Sequence, residues 1–196
     1  VSCIYGLGSP EYYAKMVIPV EVGQHFPMDK LTTRLVEVLY ERHDYELHRG
    51  TFRVRGAALE IIPASHHGRA LRLEFFGDDI DLMRDIDPPT GGVLSEVSKT
   101  VLYPASHFVS AQDNLKRAAS DIRDELAARL TYFKEHGQLV EAQRIEQRTQ
   151  LDLEMIEELG NCNGIETYTR HLDGRKPGEP PTCRLHYFSE DFMLTV

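Results

Sequence analysis

Charged and apolar side chains alternate along the stretch from Arg49 to Glu74. Successive side chains leave opposite faces of a β-strand, so Phe52 and Val54 line one face while Arg53 and Arg55 line the other. The two runs that follow repeat the pattern, with an apolar set of Leu59, Ile61, Leu71, Leu73 and Phe75 and a charged set of Glu60, Arg72 and Glu74. We expect the apolar face to pack on a core and the charged face to stay in water, open to a partner.

The charged face has a second interpretation, in which its residues form surface ion pairs between strands, for example Arg53 with Glu74. Such exposed pairs contribute little to stability. Three arginines from adjacent strands favour a binding surface instead, because arginine is enriched at protein interfaces. The pattern therefore indicates recognition rather than catalysis.

Histidines are the only side chains that suggest a metal site, with His66 and His67 adjacent and His43 and His48 nearby in the chain. Their spacing matches no usual ligand set, and a polar turn explains His66 and His67 better. We predict no metal site.

The three cysteines, Cys3, Cys162 and Cys183, are widely spaced and include no C-x-x-C pair. This usage suits a reducing, cytoplasmic setting, where such cysteines act as small hydrophobic residues. No nucleophile stands in a pattern with a base, so we predict no catalytic residue.

A second basic feature consists of Arg144 and Arg148, one helical turn apart. The plainer interpretation is a surface pair supported by Glu141 and Glu146 on the same helix. The alternative is a basic stripe that contacts phosphate groups of a nucleic acid. Spacing alone favours the surface pair over the phosphate contact.

Composition sets limits on these interpretations. The 196 residues carry a net charge of −9, with 41% hydrophobic and 27% charged residues, as in ordinary globular proteins. An acidic chain is not expected to coat nucleic acid, since that needs clustered cations. We expect no membrane span and no signal peptide. Because the first residue is Val1 rather than Met, we expect the chain to be an excised piece.

The elements that carry these residues follow from periodicity and turn signals. Asp29 is predicted to cap a helix that runs to about Tyr40. Turn residues between the alternating runs predict an antiparallel β-meander. Apolar residues at spacings of three and four predict helices from Asp113 to about Glu135 and from Leu139 to Leu159, with Gly137 between them. The prediction is an α+β fold: an antiparallel β-meander domain with one or two short helices, followed by a long antiparallel helical hairpin.

Six motifs are distributed along the chain: V-S-C-I-Y-G-L-G-S-P-E (1–11), R-G-T-F-R-V-R-G (49–56), Y-P-A-S-H-F-V (103–109), Q-R-T-Q-L-D-L-E-M (147–155), N-G-I-E (163–166) and P-G-E-P-P (177–181). They resemble the UvrB family, the damage-verifying, helicase-like subunits of the bacterial nucleotide excision repair excinuclease. The resemblance covers essentially the whole chain.

The resemblance implies three segments. Residues 1–15 would be the tail of a first helicase subdomain, residues 16–104 a UvrA-binding domain, and residues 105–196 a truncated helical insertion of the helicase core. The phosphate-binding loop and the D-E-x-H motif of the family would lie outside the chain. The chain itself is then expected to need no cofactor, with ATP and Mg²⁺ serving the full-length parent.

The resemblance also carries residue roles. The positions that match the family's UvrA-binding surface are Arg42, Arg53, Arg55, Arg72 and Glu74. The positions that match its DNA path are Ser2, Tyr5, Phe108, Arg148 and Glu166, with the aromatic rings placed to stack on bases. The implied partners are UvrA directly, and DNA and UvrC through the parent.

Two alternatives remain beside this assignment. One is the related UvrA-binding module of a transcription–repair coupling factor, which is not expected to contain the motifs at 147–155 and 163–166. The other is a stand-alone DNA-binding unit that uses Arg144, Arg148 and the aromatic residues.

Overall fold

A computed structural model of the protein describes residues 8–66, 68–106, 112–188, 191 and 193. Residues 14–106 form one compact unit, here called the sheet unit. The described residues 8–13 and those from 112 onward form a second unit, the helical unit. The domain boundaries predicted at residues 15 and 104 concern the parent's architecture and stay predictions.

The sheet unit contains two sheets. A short helix, α1 Pro10–Lys15, comes first in the chain. The elements that follow are β1 Ile18–Glu21, α2 Met28–Glu37, β2 Glu41–Arg42, β3 Thr51–Arg55, β4 Ala58–Ile62, β5 Ala70–Phe76, β6 Asp79–Ile86, β7 Val93–Glu96 and β8 Lys99–Leu102. Strand β1 pairs antiparallel with β8, and strands β2 to β7 follow one another in chain order in a six-stranded sheet. The predicted antiparallel meander is confirmed over β3 to β7, while β2 adds a short parallel pairing with β3.

The core of the sheet unit lies between helix α2 and the apolar face of the six-stranded sheet. Leu31 and Leu35 of the helix are fully buried in one cluster with Leu59 and Leu73 of the sheet. The alternation predicted from the sequence therefore identifies the core face of β3, β4 and β5. Burial of such side chains supplies most of the favourable free energy of folding.

The start of helix α2 differs from the prediction. Pro27, rather than Asp29, is the N-cap, and it offers no side-chain hydrogen bond. Asp29 lies inside the first turn, where its carboxylate accepts a hydrogen bond of 2.8 Å from the Lys30 N–H. The prediction was wrong because a carboxylate also stabilises a helix from within its first turn, through the exposed N–H groups and the macrodipole.

The end of helix α2 also comes earlier than predicted. The helix stops at Glu37, and Leu39 adopts a left-handed conformation with φ of 67°. This reversal brings Tyr40 into the core, where its hydroxyl donates to the Tyr103 carbonyl at 2.8 Å and accepts from the Ala64 N–H at 3.0 Å. The cost of the left-handed residue is offset by burying an aromatic ring with its hydroxyl hydrogen-bonded.

The helical unit is built on a helical hairpin of α3 Gln112–Glu135 and α4 Leu139–Leu159, as the periodicity predicted. Gly160 follows α4 with φ of 71°, the left-handed conformation that commonly ends a helix. Beyond it lie a 3₁₀ turn Ile165–Tyr168, helix α5 Thr169–Asp173 and a 3₁₀ turn Arg184–Tyr187.

The core of the helical unit occupies one end of the hairpin. Leu115, Ala119 and Ile122 of α3 are buried there, together with Leu153 of α4 and Leu172 of α5. The predicted apolar stripe continues along α3 through Leu126, Leu130 and Phe133, which are only half-buried. No helix in the described part of the chain is long and apolar enough to cross a membrane.

Truncation of Leu35 tests the packing of α2 on the sheet. Leu35 is 0% exposed while its neighbour Val36 is 57% exposed. We expect Leu35→Ala to lower the free energy of unfolding by about 3 kcal/mol, through lost burial and a residual cavity. Val36→Ala should change it by less than about 0.5 kcal/mol. Urea unfolding followed by circular dichroism measures both, and equal losses would contradict the assigned core.

Candidate partner-binding surface

The charged side chains of the sheet unit form a row across the strands. Arg53 of β3 lies directly opposite Glu60 of β4, and Glu60 lies directly opposite Arg72 of β5. Arg84 of β6 and Glu96 of β7 continue the same row. Directly opposite side chains on one face are close enough to interact, so the register alone places a carboxylate between two guanidinium groups.

Glu60 is the centre of this row. Its Oε2 accepts a hydrogen bond from Arg53 Nε at 2.6 Å, and its Oε1 accepts from Arg72 Nε at 2.8 Å and from Arg72 Nη2 at 2.5 Å. Burial by itself raises the pKa of Glu60, but the hydrogen bonds and charges of Arg72 and Arg53 outweigh it and hold the pKa below its usual value. The carboxylate is therefore ionised and fully paired.

The charged face is less open than the sequence predicted. Glu60 is 1% exposed and Arg53 is 8% exposed. The segment before β3 folds back over this face, where Leu47 packs against a small cluster formed by Ile62, Ala70 and Ile86. The expectation of a fully wet face was wrong because alternation assigns a residue to a face without showing which loop returns to cover it.

The expected pair of Arg53 with Glu74 is also absent. Arg53 pairs with Glu60, which the register places directly across from it. Glu74 lies opposite Ala58 and accepts a hydrogen bond from Arg84 Nη1 at 3.1 Å instead. Strand register, which alternation does not encode, decides these partners.

A cleft remains on the charged face between two loops. Its lining residues are Tyr45, Glu46, Leu47, Arg53, Arg55, Arg72, Pro88, Pro89, Thr90 and Gly91. The structure thus brings together Arg53, Arg55 and Arg72 from the predicted set. Arg42 and Glu74 do not line the cleft. Arg42 lies on the edge strand β2, where its Nε donates to both carboxylate oxygens of Asp44 at 3.1 Å.

Arg55 differs from the other arginines of the cleft. It lies opposite Ala58, whose methyl group offers no charge, and it is exposed. Among the described residues no carboxylate forms an ion pair with Arg55, whereas Arg53 and Arg72 share Glu60. Its guanidinium is therefore the cation of the cleft with most capacity to bind an external carboxylate.

The predicted DNA-contact residues are placed only in part. Ser2, Tyr5 and Phe108 lie outside the described residues. Glu166 lies in the exposed part of the 3₁₀ turn Ile165–Tyr168. Their role in DNA contact stays a prediction.

Arg148 belongs to a hydrogen-bonded network in the helical unit. Its Nε donates to Asp152 Oδ2 at 2.9 Å, and its Nη2 donates to the Asn163 carbonyl at 2.7 Å. The same Asp152 oxygen accepts a hydrogen bond of 2.8 Å from the Tyr168 hydroxyl. Asp152 is 3% exposed, so Arg148 neutralises a buried carboxylate. The sequence reasoning placed Arg148 near Glu141 and Glu146 and missed Asp152.

Burial also raises the pKa values of two other groups beside Asp152. It raises the pKa of the Cys162 thiol to about 11, with the nearby Asp152 charge acting in the same direction. Burial and the hydrogen bond to Asp152 raise the pKa of Tyr168 to about 12. Both groups are neutral at physiological pH and act as structural residues.

Metal-binding geometry is not found in the described part of the chain. His43 and His48 do meet edge to face, with ring centroids 5.4 Å apart. However, no three His, Cys, Asp or Glu side chains among the described residues are arranged to hold a metal ion. His67 lies outside those residues.

Comparison with known families assigns both units to one class of protein. The family model of the UvrB interaction domain matches residues 18–108. The family model of the UvrB third helical domain matches residues 113–174. The charged, partly covered sheet and the helical hairpin are thus two consecutive domains of one architecture.

Curated relatives give the same assignment over all 196 residues. The chain is 71% identical to the UvrABC system protein B of Nitratidesulfovibrio vulgaris strain Miyazaki F, 54% identical to that of Syntrophotalea carbinolica and 47% identical to that of Carboxydothermus hydrogenoformans. It belongs to the UvrB family. The chain spans 29% of the length of the first two relatives and 30% of the third.

The pairing of Glu60 predicts a specific pH dependence of stability. A carboxyl group whose folded pKa is depressed stabilises the fold above its unfolded pKa and loses that contribution as pH falls through the folded pKa. We expect Glu60→Gln to be less stable than wild type by a constant amount from pH 7 to about pH 5, and the difference to narrow below the ordinary value of 4.5.

Urea unfolding at a series of pH values measures this difference. Glu96→Gln is the matched control, because Glu96 stands at the exposed end of the same row. If the difference in unfolding free energy between Glu60→Gln and wild type stayed constant down to about pH 3, this result would contradict a depressed pKa of Glu60.

Cys162 should resist alkylation. With a pKa of about 11, only about one thiol in a thousand is ionised at pH 8, and the side chain is buried. Cys183 is less buried and serves as the internal reference. Peptide mass spectrometry after brief iodoacetamide treatment of the native chain should find Cys183 modified and Cys162 intact. Equal labelling would show that the Asp152 network opens readily.

Proposed function

We propose that the chain is the UvrA-interaction region of a UvrB-family protein that acts in damage recognition and verification in bacterial nucleotide excision repair. The observation that carries the proposal is the cleft of Arg53, Arg55 and Arg72 on the sheet that matches the UvrB interaction domain. UvrA would bind the cleft through acidic side chains that pair with these guanidinium groups.

The cleft has the properties of an interaction hot spot. Tyr45 at its rim is almost fully exposed, and Arg55 adds a cation without an ion-pair partner among the described residues. Tyrosine and arginine are enriched at positions that dominate binding energy. Pro88 and Pro89 form the other wall, so little backbone entropy is lost when a partner seats there.

The alternatives receive less support. A coupling-factor module would explain the sheet unit, but the helical unit also matches a UvrB family model. A stand-alone DNA-binding unit needs available cations, whereas Arg148 already neutralises the buried Asp152. DNA and UvrC would therefore bind through the full-length parent, and the chain would not act as a DNA-binding unit by itself.

Nucleotide chemistry is likewise proposed for the parent alone. The P-loop pattern G-x-x-x-x-G-K, which cradles the phosphates of ATP, does not occur in the 196 residues. ATP and Mg²⁺ would act on other parts of the parent, a DNA-dependent ATPase within the cytoplasmic excinuclease. The chain would bind UvrA and turn over no nucleotide.

Reversal of charge at Arg55 tests the proposal. Arg55→Glu should weaken binding of UvrA by about 10- to 100-fold and leave stability unchanged, because Arg55 is exposed and opposes only Ala58. Calorimetric titration of the 196-residue chain with purified UvrA, at low and moderate ionic strength, measures the affinity and its screening by salt.

Lys30→Glu is the matched control for this experiment. Lys30 is an exposed cation on helix α2, which packs on the apolar side of the sheet. The same reversal at Arg53 is less informative, since a second carboxylate beside buried Glu60 would unfold the unit. If Arg55→Glu bound UvrA as tightly as wild type, the cleft would not be part of the interface with UvrA.

A further inference from the structure

Glu60, at the centre of the sheet unit's charged row, accepts hydrogen bonds from two guanidinium groups. Arg53 uses its Nε to reach one oxygen of Glu60, and Arg72 uses Nε and Nη2 to reach the other. Glu60 lies on β4, between the strands that carry the two arginines. One buried carboxylate therefore anchors cations that arrive from both sides.

The outer N–H groups of these arginines are left for other partners. Among the described residues, the only hydrogen bond of the Arg53 guanidinium is the one from Nε to Glu60. Both Arg53 and Arg72 line the cleft. Each guanidinium carries five donors in a rigid fork, so one anchored edge leaves donors to a ligand in the cleft.

The wall of the cleft restrains Arg72 further. Gly91 has φ of 72°, and a Cβ at this position would lie 3.6 Å from Arg72 Nη2. The turn that ends in Gly91 therefore runs close to Nη2, the same atom that donates to Glu60. Arg72 is thus hydrogen-bonded to Glu60 and in contact with this turn before any partner binds.

We propose that Glu60 is the positioning residue of this cleft: it orients Arg53 and Arg72 so that their outer N–H groups are directed at a carboxylate of the bound partner. The proposal rests on the proposed function, since it specifies how the same cleft is prepared. Anchoring the arginines beforehand reduces the side-chain entropy lost on binding. Glu60 does not touch the partner and acts through the two guanidinium groups.

A purely structural role for Glu60 makes a different prediction. If Glu60 only compensates buried charge, its replacement lowers stability but leaves binding by the folded protein unchanged. If it positions the arginines, its replacement weakens binding even when the protein is folded, and the effect depends on Arg72. A double-mutant cycle separates the two roles.

The test uses the full 196-residue chain with Glu60→Gln, Arg72→Gln and both changes together. Glutamine retains the size of the side chain and removes its charge. Unfolding curves first establish the temperature at which each variant is folded. Titration with purified UvrA below that temperature then gives the dissociation constants. Glu96→Gln, which removes the same charge at the exposed end of the row, is the control.

The positioning role predicts a dissociation constant about tenfold higher for Glu60→Gln and less than about twofold higher for Glu96→Gln. The double variant should lose less affinity than the product of the two single losses, since part of the effect of Glu60 acts through Arg72. Nε–Hε resonances of Arg53 and Arg72 in ¹⁵N spectra should be sharp and protected from solvent exchange in wild type. Both should broaden in Glu60→Gln.

Three results would overturn the inference. Wild-type affinity in folded Glu60→Gln would restrict Glu60 to a structural role. Fully multiplicative losses in the double variant would show that Glu60 does not act through Arg72. Failure of the wild-type chain to bind UvrA would overturn the proposed function itself, and the positioning role with it. If Glu60→Gln does not fold, Glu60→Asp replaces it, because it retains the carboxylate on a side chain that is one methylene shorter. Glu60→Asp should bind UvrA more weakly than wild type, and its Arg53 and Arg72 resonances should broaden.

Discussion

The sheet unit depends on the burial of one charge. A carboxylate removed from water is strongly destabilising unless charged hydrogen-bond donors surround it. Glu60 satisfies this condition only while β3 and β5 flank β4 in the observed register, because Arg53 and Arg72 then lie directly opposite. A slip of one residue in either strand would bury an unpaired charge and also turn the apolar side chains to the wrong face. The ion-pair row and the core therefore specify the same pairing.

This constraint also shapes the binding surface. An arginine that pairs with buried Glu60 presents only part of its guanidinium outward, while Arg55, opposite Ala58, is exposed and pairs with no carboxylate among the described residues. Leu47 and its neighbours cover one end of the charged face, and the turn at Gly91 closes on Arg72. The result is a bounded cleft in which Glu60 holds Arg53 and Arg72 by ion pairs. Such preparation favours specificity and slow dissociation over simple electrostatic attraction.

The helical unit uses the same physical device in a different setting. Buried Asp152 accepts hydrogen bonds from Arg148, one turn earlier on α4, and from Tyr168 in the turn that follows. The network ties the end of the hairpin to the segment beyond Gly160. In both units a carboxylate that the sequence places among ordinary surface charges instead holds other side chains in position.

Local sequence determined the features that depend on neighbours in the chain. The limits of α3 and α4 follow from apolar spacing and from Gly137 and Gly160, and the core face of β3 to β5 follows from alternation. Tertiary structure alone decided the pairing of Arg53 with Glu60, the covering of the charged face by Leu47, and the meeting of Arg148, Asp152 and Tyr168. Periodicity reports the face on which a side chain lies. Which group it meets there depends on strand register and on long-range packing, and neither leaves a local signal.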